Sequence, residues 1–156
     1  MASGRVSISA ALLGCFLLAA CWTAPVEVDL REDWLVDLTI RYDSTSVCTV
    51  TGAVLHVEGL TYSGIGSLEG GQISCTGTRT WATGHGVAAD IWGPNVTIQL
   101  REPLAIQFTT FLHGEATPRQ MSGTVRDEAG GQLGTWTAHR TDCAAREVAL
   151  RLCLPE

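Results

Sequence analysis

The chain has 156 residues, 46% of them hydrophobic and only 6% aromatic, with 10 Lys+Arg against 16 Asp+Glu and a formal net charge of −6. That length is one domain's worth of sequence. So acidic a chain carries no basic field to neutralise phosphates, which excludes nucleic acid as a natural partner and gives an anionic membrane no electrostatic pull. Seventeen Gly, many Thr and Val, and few helix formers outside the two ends predict an extended, turn-rich chain, because Gly weakens helix interiors and β-branched side chains favour strands.

The N-terminus has the layout of a signal peptide: one charge at Arg5, an uncharged apolar stretch from Ile8 to Ala20, then the acidic run Glu27 to Asp33. The stretch is shorter than the roughly 20 residues of a transmembrane helix. Cleavage after Ala24 is disfavoured by bulky Trp22 and by Pro25, whereas Leu18-Ala19-Ala20-Cys21 resembles the bacterial lipobox, whose Cys thiol receives a diacylglyceryl group. The earlier Leu12-Leu13-Gly14-Cys15 leaves too short an apolar region before it. Residues 1–20 therefore read as a lipoprotein signal peptide, 21–32 as a tether beginning at lipidated Cys21, and 33–156 as a single domain. The competing reading keeps Cys21 as a small apolar residue in the tail of the signal. Each buried acyl methylene adds about 0.8 kcal/mol of membrane affinity, so two or three chains hold a domain at a membrane durably. The expected location is the cell envelope, with the domain in the periplasm or outside the cell. In a two-membrane bacterium, Trp22 after the lipidated Cys resembles the default signal for the outer membrane.

Cysteine counting agrees with export. With Cys15 in the signal and Cys21 lipidated, Cys48, Cys75, Cys143 and Cys153 remain, and an even remainder in an exported domain reads as two disulfides. Three connectivities are open. Proximity favours Cys48–Cys75 and Cys143–Cys153, each closing a loop worth about 3 kcal/mol on the chain-entropy model. A zinc site needs close ligand pairs such as C-x-x-C, and none is present in the sequence, so no metal and no cofactor is expected.

From Trp34 the pattern turns sharply to period two: Trp34, Val36, Leu38, Ile40 and Tyr42 alternate with Leu35, Asp37, Thr39 and Arg41, as in a strand with one buried face. Further strands are expected over Val47–Val57, Leu60–Ser67, Gln72–Thr78, Trp81–Trp92 with breaks, Val96–Arg101, Ala105–His113, Gln120–Asp127 and Gln132–Thr141. Glu69-Gly70-Gly71, Gly93-Pro94-Asn95 and Ala129-Gly130-Gly131 supply the backbone conformations of hairpin turns. Gly52 and Gly123 fall inside strands, where Gly marks a bulge or a close approach of backbones. Residues 144–152 fit a helix or a strand equally. Short strands in sequence without crossover helices predict an all-β fold, an antiparallel up-and-down meander barrel of about eight strands, with a β-sandwich as the alternative. About 135 mature residues bury roughly two-thirds of their unfolded surface, enough for a true core.

Two groups of residues carry a resemblance. Met121-Ser122-Gly123-Thr124-Val125, Gly130-Gly131 and Gly134-Thr135-Trp136-Thr137-Ala138-His139-Arg140 resemble the closing hairpin of lipocalin-like and avidin-like small β-barrels of bacterial lipoproteins. Cys48-Thr49-Val50-Thr51-Gly52, Tyr62-Ser63-Gly64 and Ile73-Ser74-Cys75 resemble their opening hairpins. The resemblance implies the barrel fold and a habit of holding small apolar molecules. It carries over no site, since the Gly-x-Trp of true lipocalins is missing before Trp34.

No enzyme is expected. His56, His85, His113 and His139 form neither H-x-x-x-H nor H-E-x-x-H, although their even spacing would let a meander gather several at one end beside Asp90 and Glu115. The stretch Tyr62–Ser67 lacks the G-x-S-x-G of a nucleophile elbow. Trp34, Tyr42, Tyr62, Trp81, Trp92 and Trp136 are the candidate ligand-binding residues, because pockets are mostly apolar with a few placed donors; the alternative is that they plug the barrel or cover its ends. Arg140, just beyond Trp136, is expected to stack on an aromatic ring and close one barrel end. Two functions follow. In the first, the barrel binds a small apolar ligand or serves as an envelope component; in the second, it is a protein-binding module such as an inhibitor of an exported hydrolase. Pro103, Gly114–Arg119 and the Cys143–Cys153 loop are the contact candidates for the second.

Overall fold

The computed structural model describes residues 28–107 and 109–141. The lipidation candidate Cys21, the expected pairing of Cys143 with Cys153 and the undecided stretch 144–152 lie outside them. Eight strands follow in order: β1 (Trp34–Arg41), β2 (Val47–Gly59), β3 (Ser63–Cys75), β4 (His85–Trp92), β5 (Asn95–Arg101), β6 (Thr110–Ala116), β7 (Gln120–Asp127) and β8 (Gln132–Arg140). Each pairs antiparallel with the next, and β8 returns to β1 with Trp34 opposite Arg140 and Ile40 opposite Gly134. The sheet is thus a closed meander barrel, not a sandwich. Closure leaves no unpaired edge to template aggregation.

Alternation along each strand decides which side chains fill the barrel. Trp34, Val36, Leu38 and Ile40 of β1 are buried, while Asp37, Thr39 and Arg41 face water. The same rule sends Leu55 and Val57, Val87 and Ala89, Ile98 and Leu100, Leu112, Met121, Val125, Trp136 and Ala138 inward. Apolar inside and polar outside is the reverse of a transmembrane barrel, whose outer band is apolar. Among the described residues no helix is long and apolar enough to cross a membrane either.

The two longest strands, 13 residues each, differ most from expectation. Leu60–Ser67 and Gln72–Thr78 are not two strands joined by a turn at Glu69-Gly70-Gly71; they are one strand, β3. Gly70 and Gly71 do take positive φ, at 70° and 80°, but opposite Gly52 of β2, also at positive φ. The β2–β3 pairing runs in register from Thr51 and Gln72 to Ala53 and Gly70, with Gly52 facing Gly71; the register breaks on the other side of β2, where Thr51 and Gly52 stand against Asp37 alone. That bulge in β2, with positive-φ glycines facing each other across β2 and β3, bends the sheet at one level without ending either strand. Gly-Gly here supplies curvature instead of reversal. Asp37 on β1 accepts the Gly52 N–H at 2.7 Å and so fixes the bend.

Gly123 serves the other predicted use of glycine. It sits opposite Gly114 across β6 and β7, and a Cβ on either would strike the neighbouring backbone, at 1.9 Å from the His113 carbonyl oxygen or 2.0 Å from that of Ser122. The strand after them brings Trp136 level with Gly123. Its indole is fully buried and donates Nε1–H to the His113 carbonyl at 3.2 Å. A large ring beside two absent side chains keeps the core filled.

Two other boundaries shift. β4 begins at His85 and not near Trp81, and β6 at Thr110 and not near Ala105. Both preceding segments are loops, since their side chains cap or protrude from the barrel end instead of alternating. The expected Cys48–Cys75 disulfide is present, with an S–S distance of 2.05 Å, between directly opposed residues of β2 and β3.

Candidate functional site

The meander puts the residues before β1 and the β2–β3, β4–β5 and β6–β7 turns at one end, and the β1–β2, β3–β4, β5–β6 and β7–β8 connections at the other. The first is the tether end, because the chain leads from it towards Cys21. There Val28 and Leu30, assigned above to the tether, are buried, so a strap of residues 28–33 belongs to the fold. Leu30 N–H donates to the Thr61 carbonyl at 2.9 Å, and Thr141 N–H to that of Asp33 at 3.0 Å. Asp29 pairs with Arg31 at 2.6 Å, His56 Nδ1 meets Asp33 at 2.7 Å, and Arg140 pairs with Glu32. Arg140 does close this end, through a carboxylate. The Arg31 guanidinium holds the Asp29 carboxyl below its ordinary range, and the hydrogen bond to Asp33 raises the His56 imidazole above its own.

The far end is closed by aromatic stacking. Trp81 lies on His85 with ring centroids 4.2 Å apart, and the Arg79 guanidinium stands 5.6 Å from the centre of the Tyr42 ring. Burial pushes the His85 imidazole down, against a smaller opposing pull from Glu102. His85 Nδ1 and Trp34 Nε1 are buried with no hydrogen-bond partner among the described residues, each at a desolvation cost. Asp43 caps the β1–β2 connection by accepting from Thr45 N–H and Ser46 N–H, which draws its carboxyl down to about 2.

The six aromatic candidates therefore share no single surface. Trp34 and Trp136 are sealed in the core, Trp81 and half-buried Tyr42 cover the far end, and Tyr62 and Trp92 are exposed at the tether end. The histidines are likewise dispersed. His56 is at the strap, His85 inside, His113 on the outer wall 3.3 Å from the Thr97 hydroxyl, and His139 exposed. Asp90 faces Thr97 and Glu115 faces Asn95 on that wall. No cluster of three His, Cys, Asp or Glu that could hold a metal ion occurs among the described residues.

Three grooves lie on the outer wall. One of about 470 Å³ runs over Thr97, His113, Glu115 and Thr124; another of about 490 Å³ runs over His56, Ile65, Ser67 and Arg101. A third, of about 200 Å³, is lined chiefly by hydroxyls, those of Thr39, Thr49, Thr51, Thr135 and Thr137.

The loop between β5 and β6, at the far end, shows a different character. Ala105 N–H donates to the Glu102 carbonyl at 3.0 Å, closing a turn over Pro103 and Leu104. Leu104 has φ 68°, and Pro followed by positive φ is the signature of a type II turn, which wants Gly or Asn at the second position. Leu104 is fully exposed there, and Ile106 is 91% exposed. Sequence reasoning named Pro103 but not Leu104 or Ile106, whose signal is a large apolar residue standing after Pro where Gly belongs. Gly114–Arg119, the companion contact candidate, lies at the opposite end. Compared with protein-family models, with curated proteins and with solved structures, the chain matches none.

Proposed function

We propose that the protein is an exported, lipid-anchored, non-catalytic barrel that binds another exported protein through the Pro103–Ile106 loop. Leu104 carries this reading. A leucine held at positive φ costs roughly 1–2 kcal/mol relative to glycine, and strain of that kind persists where a site needs the side chain. Leu104 contacts water instead of core, so its strain gains nothing for the fold. A stiff convex loop with two apolar tips fits a cleft in a partner, such as that of an exported hydrolase, and loses little entropy on docking. The small-ligand reading is less well supported, because the strap, the Trp81–His85 stack and the Trp34 and Trp136 rings occupy the barrel's ends and core.

The test places a photo-crosslinking residue at position 104 of the full chain in cells of the source organism. A discrete protein adduct that disappears with Ile106→Asp is expected. The proposal fails if position 104 yields no adduct while the oxidised chain carries a small apolar molecule in native mass spectrometry.

A further inference from the structure

We infer that the tether end seats on the lipid surface through Leu60, Tyr62 and Trp92. This rests on the lipid anchor at Cys21 proposed above. Buried Val28 stands seven positions after Cys21, and at 3.3–3.6 Å per step a fully extended chain spans at most about 25 Å, so this end of the barrel stays close to its anchor. The strap that leads there is bonded to the turn between Leu60 and Tyr62. Leu30 donates to Thr61, and the neighbouring Tyr62 carbonyl accepts from Ile91 N–H at 2.7 Å, tying the β2–β3 turn to the end of β4 where Trp92 stands. Leu60 and Tyr62 are each 55% exposed and Trp92 is 85% exposed. Trp and Tyr, apolar in the ring and polar at the tip, are the side chains that favour the water–lipid boundary.

The strap's own charges oppose seating little. The three carboxylates of the strap are each engaged by a cationic or ionisable neighbour: Asp29 by Arg31, Glu32 by Arg140 and Asp33 by His56. Paired charges weaken the repulsion an acidic chain would otherwise feel on approaching lipid headgroups. The β4–β5 turn holds Trp92 in place: Asn95 Nδ2 donates to the Trp92 carbonyl at 3.5 Å and Ala116 N–H to the Pro94 carbonyl at 2.7 Å.

The experiment uses the full lipidated chain carrying Trp22→Phe, reconstituted in phosphatidylcholine vesicles whose acyl chains are brominated near the headgroup. Trp34 and Trp136 are sealed in the core and Trp81 is at the far end, so the bromine-dependent loss of emission comes chiefly from Trp92. It is expected to be largely abolished by the further substitution Trp92→Phe, while flotation with the vesicles is unchanged. Flotation with no bromine-dependent quenching, or with quenching that Trp92→Phe leaves intact, overturns the seating and spares the anchor. Failure to float overturns the anchor and the seating with it.

Discussion

At the tether end the barrel is closed by its own leading segment, with Leu30 buried beneath a strap fastened by ion pairs. At the loop end it is closed by Trp81 stacked on His85, and the adjacent strands are joined by the Cys48–Cys75 bond. The first end is held by non-covalent contacts and polar latches. The second is braced covalently, and from it rises the one turn whose leucine faces water at positive φ. The brace joins β2 to β3 and the strained turn joins β5 to β6, so this end divides its stabilising and its exposed features between different strands.

The comparison can be broken most strongly at the brace. Replacing Cys48 and Cys75 together by Ala removes a cross-link spanning 27 residues, which is expected to lower stability by about 3–4 kcal/mol on the chain-entropy model; urea unfolding of the oxidised wild type beside the variant measures it. Leu30→Ala tests the strap. Deleting a fully buried leucine typically costs about 2–5 kcal/mol, and a change under about 1 kcal/mol would mean that the strap does not seal the core.

Leu104→Gly has the opposite sign. Relief of the positive φ should raise stability by about 1 kcal/mol while crosslinking of a partner from position 106 is lost; a variant that is no more stable would show that Leu104 is unstrained.

The two histidines at the ends sharpen the contrast by pH. The hydrogen bond to Asp33 raises His56 above 6.5, so its contribution is fully present below the ordinary pKa and is lost as pH rises through the folded value. Burial lowers His85 below 6.5, so its contribution holds above the ordinary pKa and is lost as pH falls through the folded value. Acid should tighten the strap and loosen the aromatic cap. Ring-proton NMR titration is expected to give midpoints on opposite sides of 6.5 for His56 and His85.

Much of this was legible in the residues. Trp34 to Ile40 announces one buried face, and the β1 register in the barrel obeys it. The Cys48–Cys75 pairing was legible because neighbouring strands of a meander bring nearby cysteines opposite each other. Gly52 and Gly123 were legible as a bulge and a close approach, but Gly70-Gly71 was not. The same dipeptide serves a turn or the interior of a bent strand, and the choice depends on whether pairing with the partner strand continues in register past it, as it does here.

By itself the sequence determined the class of structure: alternation with period two, short connections and turn residues permit a meander and little else, because each strand must bury one face and expose the other. Only the tertiary structure decided where the six aromatic residues went. Alternation tells two faces apart, but which strands reach the rim, and what lies over it, depends on how the closed barrel staggers its strands. That stagger sealed Trp34 and Trp136 inside, laid Trp81 over one mouth, and left Trp92 in water at the other.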